Sequence, residues 1–157
     1  MSKSKIMKKI TLICTLFLLI AATSATFAQT TPANFTGAKA TLKNYKALYV
    51  INNGDEKKIA GTLRNLKNAL YDPRLKGKIN AELIAFGDGV AVYQKNGSFE
   101  KTLLELQSRG VILAQCENTV RERKIEKNTL FDFISYVPSG NGEIIIRQYQ
   151  GWAVVHP

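Results

Sequence analysis

Histidine and cysteine are nearly absent from this 157-residue sequence: one histidine, His156, and two cysteines, Cys14 and Cys116. That scarcity excludes a metal centre built from several His and Cys ligands at close spacing, and no metal or other cofactor is expected. It also leaves no Cys–His spacing that defines a nucleophile and its base, so an enzyme with its own turnover is not the favoured reading. Nucleotide-binding loops are missing too. Gly87-Asp88-Gly89 lacks the Gly-Lys-Ser/Thr ending of a phosphate loop, and Val92 stands where a dinucleotide fingerprint needs glycine. Acidic residues are few, 12 against 22 basic. The basic excess is spread along the chain without a stripe or a basic–aromatic motif, so nucleic acid is not an expected partner.

What is present begins with an export pattern. Lys3, Lys5, Lys8 and Lys9 form a basic start without acid, Ile10 to Ala22 is almost wholly apolar, and Ala25-Thr26-Phe27-Ala28 ends a small-residue patch. This is the plan of a secretory signal, with cleavage expected after Ala28. The apolar stretch is shorter than the about 20 residues a comfortable spanning helix needs. The expected location is therefore the periplasm, without membrane attachment after cleavage. Removing those four lysines leaves 18 basic against 12 acidic residues, a charge of +6 instead of +10. Cys14 leaves with the signal. Cys116 is then a lone cysteine, which cannot form an internal disulfide. In an exported chain such a cysteine pairs between chains, stays a reactive thiol, or is buried and inert.

Residues 29–44 carry no period and are expected as a flexible leader. Residues 45–157 suit one domain with one core. Tyr45 to Ile51 is rich in strand formers. Asp55 is placed to cap a helix whose apolar stripe is Ile59, Leu63, Leu66 and Leu70, with Asp72-Pro73 ending it. Lys78 to Phe86 gives a second strand, and Phe99, Leu103 and Leu106 mark a second helix up to Gly110. Val111 to Cys116 is a short apolar run that reads as a buried strand. Asn128 is expected to cap a helical turn over Thr129 to Phe133. Ile134 to Val137 and Trp152 to Val155 are the remaining strand candidates. Glu143 to Gly151 is ambiguous: three isoleucines favour a strand, while Ser139 or Asn141 offers a helix cap. Alternating strands and helices imply a three-layer α/β/α domain with a five-stranded, mainly parallel sheet.

In this layout Cys116 falls at the carboxyl end of a buried strand, at the first turn of a helix. Ligands bind at that edge of open α/β sheets. Free helix N–H groups there favour a thiolate. Arg121, Arg123 and Lys124 add to the effect if they point back, and the negative charge of Glu117 opposes it. The Gly87–Gly89 turn reads first as a tight turn and second as a pocket wall beside Cys116. His156, also placed at a carboxyl strand end, is a less favoured candidate to approach Cys116 in space.

An ordered set of segments resembles the DsrE/DsrF-like family, the group of YchN-like and sulfur-relay proteins. The segments are Ala85-Phe86-Gly87-Asp88-Gly89-Val90, then Gly110 to Cys116 with Asn118-Thr119, then Val137-Pro138-Ser139-Gly140, Glu143 and Gln150-Gly151-Trp152-Ala153 to Pro157. The resemblance covers roughly residues 45–157. It implies a five-stranded parallel sheet, a helix over the Glu143 segment, and homo-oligomers, trimers or hexamers. It also implies a persulfide-carrying cysteine at the position of Cys116, with a sulfur donor or acceptor protein as partner. Three readings stay open. One is a periplasmic sulfur carrier using Cys116. The second is a non-catalytic oligomeric binding protein whose pocket is walled by Asn52, Gly87, Gly89 and Cys116. The third is a structural oligomer with Cys116 buried and inert.

Overall fold

β1 (Tyr45–Ile51) is the centre of assembly, because its last five residues are all buried and both its edges are paired. The computed structural model describes residues 34–157; the expected signal segment lies outside them. β1 pairs in parallel with β2 (Ile79–Ala85) over its full length, from Tyr45–Ile79 to Ile51–Ala85. β2 pairs with β3 (Ile112–Cys116), β3 with β4 (Ser135–Val137), and β1 on its other side with β5 (Ala153–Val155), all parallel. The sheet order is β4-β3-β2-β1-β5.

The order sets the layers. Steps from β1 to β4 all run one way across the sheet, so right-handed crossovers place α1 (Glu56–Tyr71), α2 (Glu100–Ser108) and α3 (Glu117–Glu122) on one face. The step from β4 to β5 runs back across every strand and places α4 (Gly140–Tyr149) on the other. Strand alternation follows this division. Ala47, Tyr49 and Ile51 meet Ile59, Leu63 and Leu66 of α1, Leu103 and Leu106 of α2, and Val120 of α3 in the larger core. Leu48, Val50, Ile84, Ala114 and Trp152 form the smaller one, with Ile144 of α4. The expected five-stranded α/β/α architecture is thus observed, and its sheet is wholly parallel.

Local chemistry explains the helix ends. The Asp55 carboxylate accepts the Lys58 N–H at 2.9 Å, supplying a partner for one of the free donors of α1. Asp55→Ala is expected to cost about 1 kcal/mol, read from urea unfolding. Ser139 caps α4 by accepting the Gly142 N–H at 3.2 Å. Helical packing over the sheet therefore overrides the strand preference of Ile144, Ile145 and Ile146.

Two segments depart from the expected pattern. Gly87–Tyr93 is a 3-10 helix that buries Val90, Val92 and Tyr93, where only a turn was expected. Leu130 to Phe133 is not helical; the helical turn covers Lys127–Thr129 and is preceded by Glu126 rather than capped by Asn128. The reason is pairing with the 3-10 helix. The Phe131 N–H binds the Tyr93 carbonyl at 3.0 Å, and Leu130 bridges Gln94.

Candidate functional site

Cys116 ends β3 in extended conformation and stands as the N-cap residue of α3. Beside it β4 ends at Val137, its register partner. From β3 the chain turns toward α3 on one face; from β4 it turns toward α4 on the other. A crevice opens between neighbouring parallel strands whose connections diverge in this way. Here it is a depression of about 270 Å³, whose lining includes Cys116, Gly87, Thr119, Arg123, Ser139 and Gly140.

Cys116 is 5 % exposed. Burial pushes its thiol up, because it disfavours the charged form. The backbone N–H and hydroxyl of Thr119 and the backbone N–H groups of Gly140 and Asn118 work against burial and outweigh it. The net result is a thiol held below its ordinary value. Both sides of the crevice contribute, Thr119 and Asn118 from α3 and Gly140 from the first residue of α4.

Thr119 is fixed in its donor role. Its hydroxyl oxygen accepts the Gly87 N–H at 3.0 Å, which leaves the hydroxyl proton for the sulfur. Thr119→Val removes that proton. Because hydrogen bonds to charged groups contribute about 1.5–3 kcal/mol, alkylation of Cys116 by iodoacetamide at neutral pH is expected to slow by roughly tenfold. Gly140 is held just as closely. A Cβ there would lie 2.9 Å from the Phe86 ring, so the start of α4 rests directly on Phe86.

The charged neighbours do not act as the sequence implied. Glu117 is paired with Lys127 at 2.8 Å. Arg121 donates to the Asn118 side chain at 2.6 Å, and Arg123 pairs with Asp88. Neutral donors from two helix starts, rather than arginines, set the thiol.

Of the expected pocket residues, Gly87 reaches the depression and Asn52 and Gly89 do not. Gly89 is buried beneath the end of β1, where a Cβ would lie 2.1 Å from the Ile51 carbonyl oxygen. It is the point where two backbones touch. Asn52 lines a separate depression of about 250 Å³ with His156, whose Nε2 meets the Asn52 Oδ1 at 3.1 Å. β3 and β5 are three steps apart in the sheet, about 14 Å at ordinary strand spacing, so His156 is no base for Cys116. Thr119, Ser139 and Gly140 are the site residues sequence reasoning passed over. The Ser139-Gly140 helix start was the available signal, but nothing local placed it beside Cys116. Among the described residues no cluster of three or more metal-ligating side chains occurs, and no helix is long and apolar enough to cross a membrane.

No family model matches this sequence, and no curated protein matches it significantly. Solved structures do. A protein of unknown function, MTH1491 from Methanobacterium thermoautotrophicum, is 28% identical, with a TM-score of 0.67 over 73% of this chain and 100% of its own. The ychN protein from E. coli is 15% identical, with a TM-score of 0.58 over 72% of this chain and 99% of its own. The protein of unknown function BT1422 from Bacteroides thetaiotaomicron is 14% identical, with a TM-score of 0.54 over 77% and 100%. The fold is therefore YchN-like, the DsrE-like arrangement expected from the sequence.

Proposed function

We propose that this protein is an exported, homo-oligomeric sulfur carrier that holds sulfane sulfur on Cys116. What supports the reading most is the place of Cys116, nearly buried in a crevice at the carboxyl edge of the sheet, with donors at the starts of α3 and α4 on either side favouring its thiolate. A thiolate is the nucleophile in exchange at sulfur, and these donors favour it. The Cys116 thiolate attacks the terminal sulfur of a donor persulfide or polysulfide. An S–S bond forms to Cys116, and the donor's inner sulfur leaves as a thiolate. An acceptor thiolate then attacks the outer sulfur and releases Cys116 unchanged. Each transfer exchanges one S–S bond for another, so no external oxidant is needed. The same donors that stabilise the thiolate before loading stabilise it again as the leaving group.

Assembly is supported by the surface of α4. Ile145 and Ile146 are more than half exposed, Tyr149 is 91% exposed, and Ile112 and Val154 are partly exposed on the sheet face that α4 covers. Apolar groups gathered this way suit contact with another copy. The second reading, a non-catalytic binding protein, is favoured by the Asn52–His156 depression, which pairs polar groups with an apolar floor of Ile51 and Ile59. Loading with a sulfane-sulfur donor, followed by intact mass measurement, separates the two.

A further inference from the structure

Beneath α4, two carboxylates share one guanidinium. Glu82, in the middle of β2, is fully buried, and its Oε2 lies 2.7 Å from Arg147 Nη2. Glu143, one turn before Arg147 on α4, places its Oε1 2.7 Å from Arg147 Nε. The guanidinium also covers the Trp152 ring at 4.4 Å. With all three ionised, the group carries one uncompensated negative charge in a low-dielectric place.

Among the described residues the surroundings do not supply the missing positive charge. In the sheet, Glu82 has Leu48 of β1 and Ile112 of β3 as register partners. Lys46, further along the same face of β1, directs its ammonium at the Gln150 carbonyl, 3.5 Å away. The Glu82 charge is felt by Tyr93 of the 3-10 helix, but the Tyr93 hydroxyl donates to the Leu83 carbonyl at 2.9 Å and not to Glu82. Neither Glu82 oxygen accepts a well-directed hydrogen bond from the described residues.

We propose that the Glu82–Arg147–Glu143 cluster is a proton-linked latch that seats α4 on the sheet and, through Gly140, positions the donor side of the Cys116 crevice. The charge count gives the direction. One proton converts two carboxylates on one guanidinium into a neutral pair plus a buried carboxylic acid. Glu82 takes that proton: burial, first, and the neighbouring Glu143 raise its pKa, against the opposing pull of Arg147. A carboxyl raised in the seated state and ordinary in the free state stabilises seating most at acid pH. That stabilisation is lost as pH rises through the raised value. Seating therefore tightens on mild acidification, the reverse of what an ordinary ion pair does.

Glu82 and Arg147 are positioning residues; they touch no reacting atom. The thiol half of the inference rests on reading Cys116 as an activated thiolate, whereas the latch does not. The test uses the full mature chain and no sulfur donor. Amide exchange of α4, corrected for intrinsic rates, and alkylation of Cys116 are both followed across the pH range from mild acid to weak base. In the parent protein, α4 amides are expected to exchange roughly threefold or more slowly in mild acid than in weak base. Glu82→Gln is expected to show the slow exchange at every pH, and its Cys116 alkylation profile moves to lower pH because Gly140 is held in place. Arg147→Met, which leaves two carboxylates unpaired, speeds α4 exchange and moves the profile the other way. Faster α4 exchange in Glu82→Gln, or a pH-independent α4 in the parent, overturns the latch. An unchanged alkylation profile with altered α4 exchange overturns only the link to the thiol. Should Arg147→Met not fold, the Glu82→Gln comparison decides alone.

Discussion

One sulfur atom, about 32 Da, is expected on the mature protein after incubation with a polysulfide, and none on Cys116→Ser. Residues 29–157 contain no thiol besides Cys116, so on a chain of those residues the assignment needs no peptide mapping. The rate of loading should rise with pH and level off at a lower pH than for an unperturbed thiol, because donors from α3 and α4 hold Cys116 down. The loaded sulfur should pass to a small thiol such as dithiothreitol and return the parent mass. Cys116→Ser keeps the fold: serine is smaller and its oxygen accepts the donors that faced the sulfur, at a cost of about 1 kcal/mol. A thiol that neither loads nor alkylates in the folded chain removes the carrier reading and leaves the binding-protein reading standing.

The largest loss of stability is expected from Gly89→Ala. The added carbon would lie 2.1 Å from the Ile51 carbonyl oxygen and 2.5 Å from its carbon. Both are backbone atoms, and the same oxygen accepts the Phe86 N–H at 3.1 Å, so β1 cannot yield without losing its link to the end of β2. Such overpacking against main chain belongs at the top of the single-substitution range, roughly 3–5 kcal/mol. For a domain of this size that lowers Tm by more than about 10 °C. Gly61→Ala is the contrast. Gly61 lies within α1 with nothing near its missing Cβ, so alanine should add about 0.5–1 kcal/mol. Thermal melts of the two variants separate glycine as a requirement from glycine as a tolerated residue.

Strand and helix order was readable wherever one period ran long enough. Tyr45 to Ile51 and the stripe Ile59, Leu63, Leu66 of α1 stand where their patterns placed them. The 3-10 helix at Gly87–Tyr93 was hidden because seven residues, opened by a positive-φ glycine, make too short a period to detect. At the site, Cys116 and its place at the end of β3 were legible. Its partners were not. Gly140 reaches the sulfur only because β4 lies beside β3, and no spacing along the chain encodes that neighbour. The basic residues after Cys116 misled for the same reason. Arg123 is drawn to Asp88, a choice made by tertiary geometry, while Arg121 reaches back one turn along α3 to Asn118.

The return from β4 to β5 across the whole sheet has a kinetic consequence. β1, β2 and β3 are joined to their neighbours by successive short-range steps, whereas β5 must find β1 about a hundred residues away along the chain. Non-local closure of this kind falls late in folding, so α4 and β5 are expected to dock after the rest of the sheet is formed. Until they do, Gly140 is absent from the sulfur. The order of assembly thus delays full ionisation of the thiol until the crevice that shelters it is closed. A stopped-flow refolding experiment with pulses of alkylating agent should find Cys116 slow to react in early intermediates despite its greater exposure, and faster once the last phase is complete.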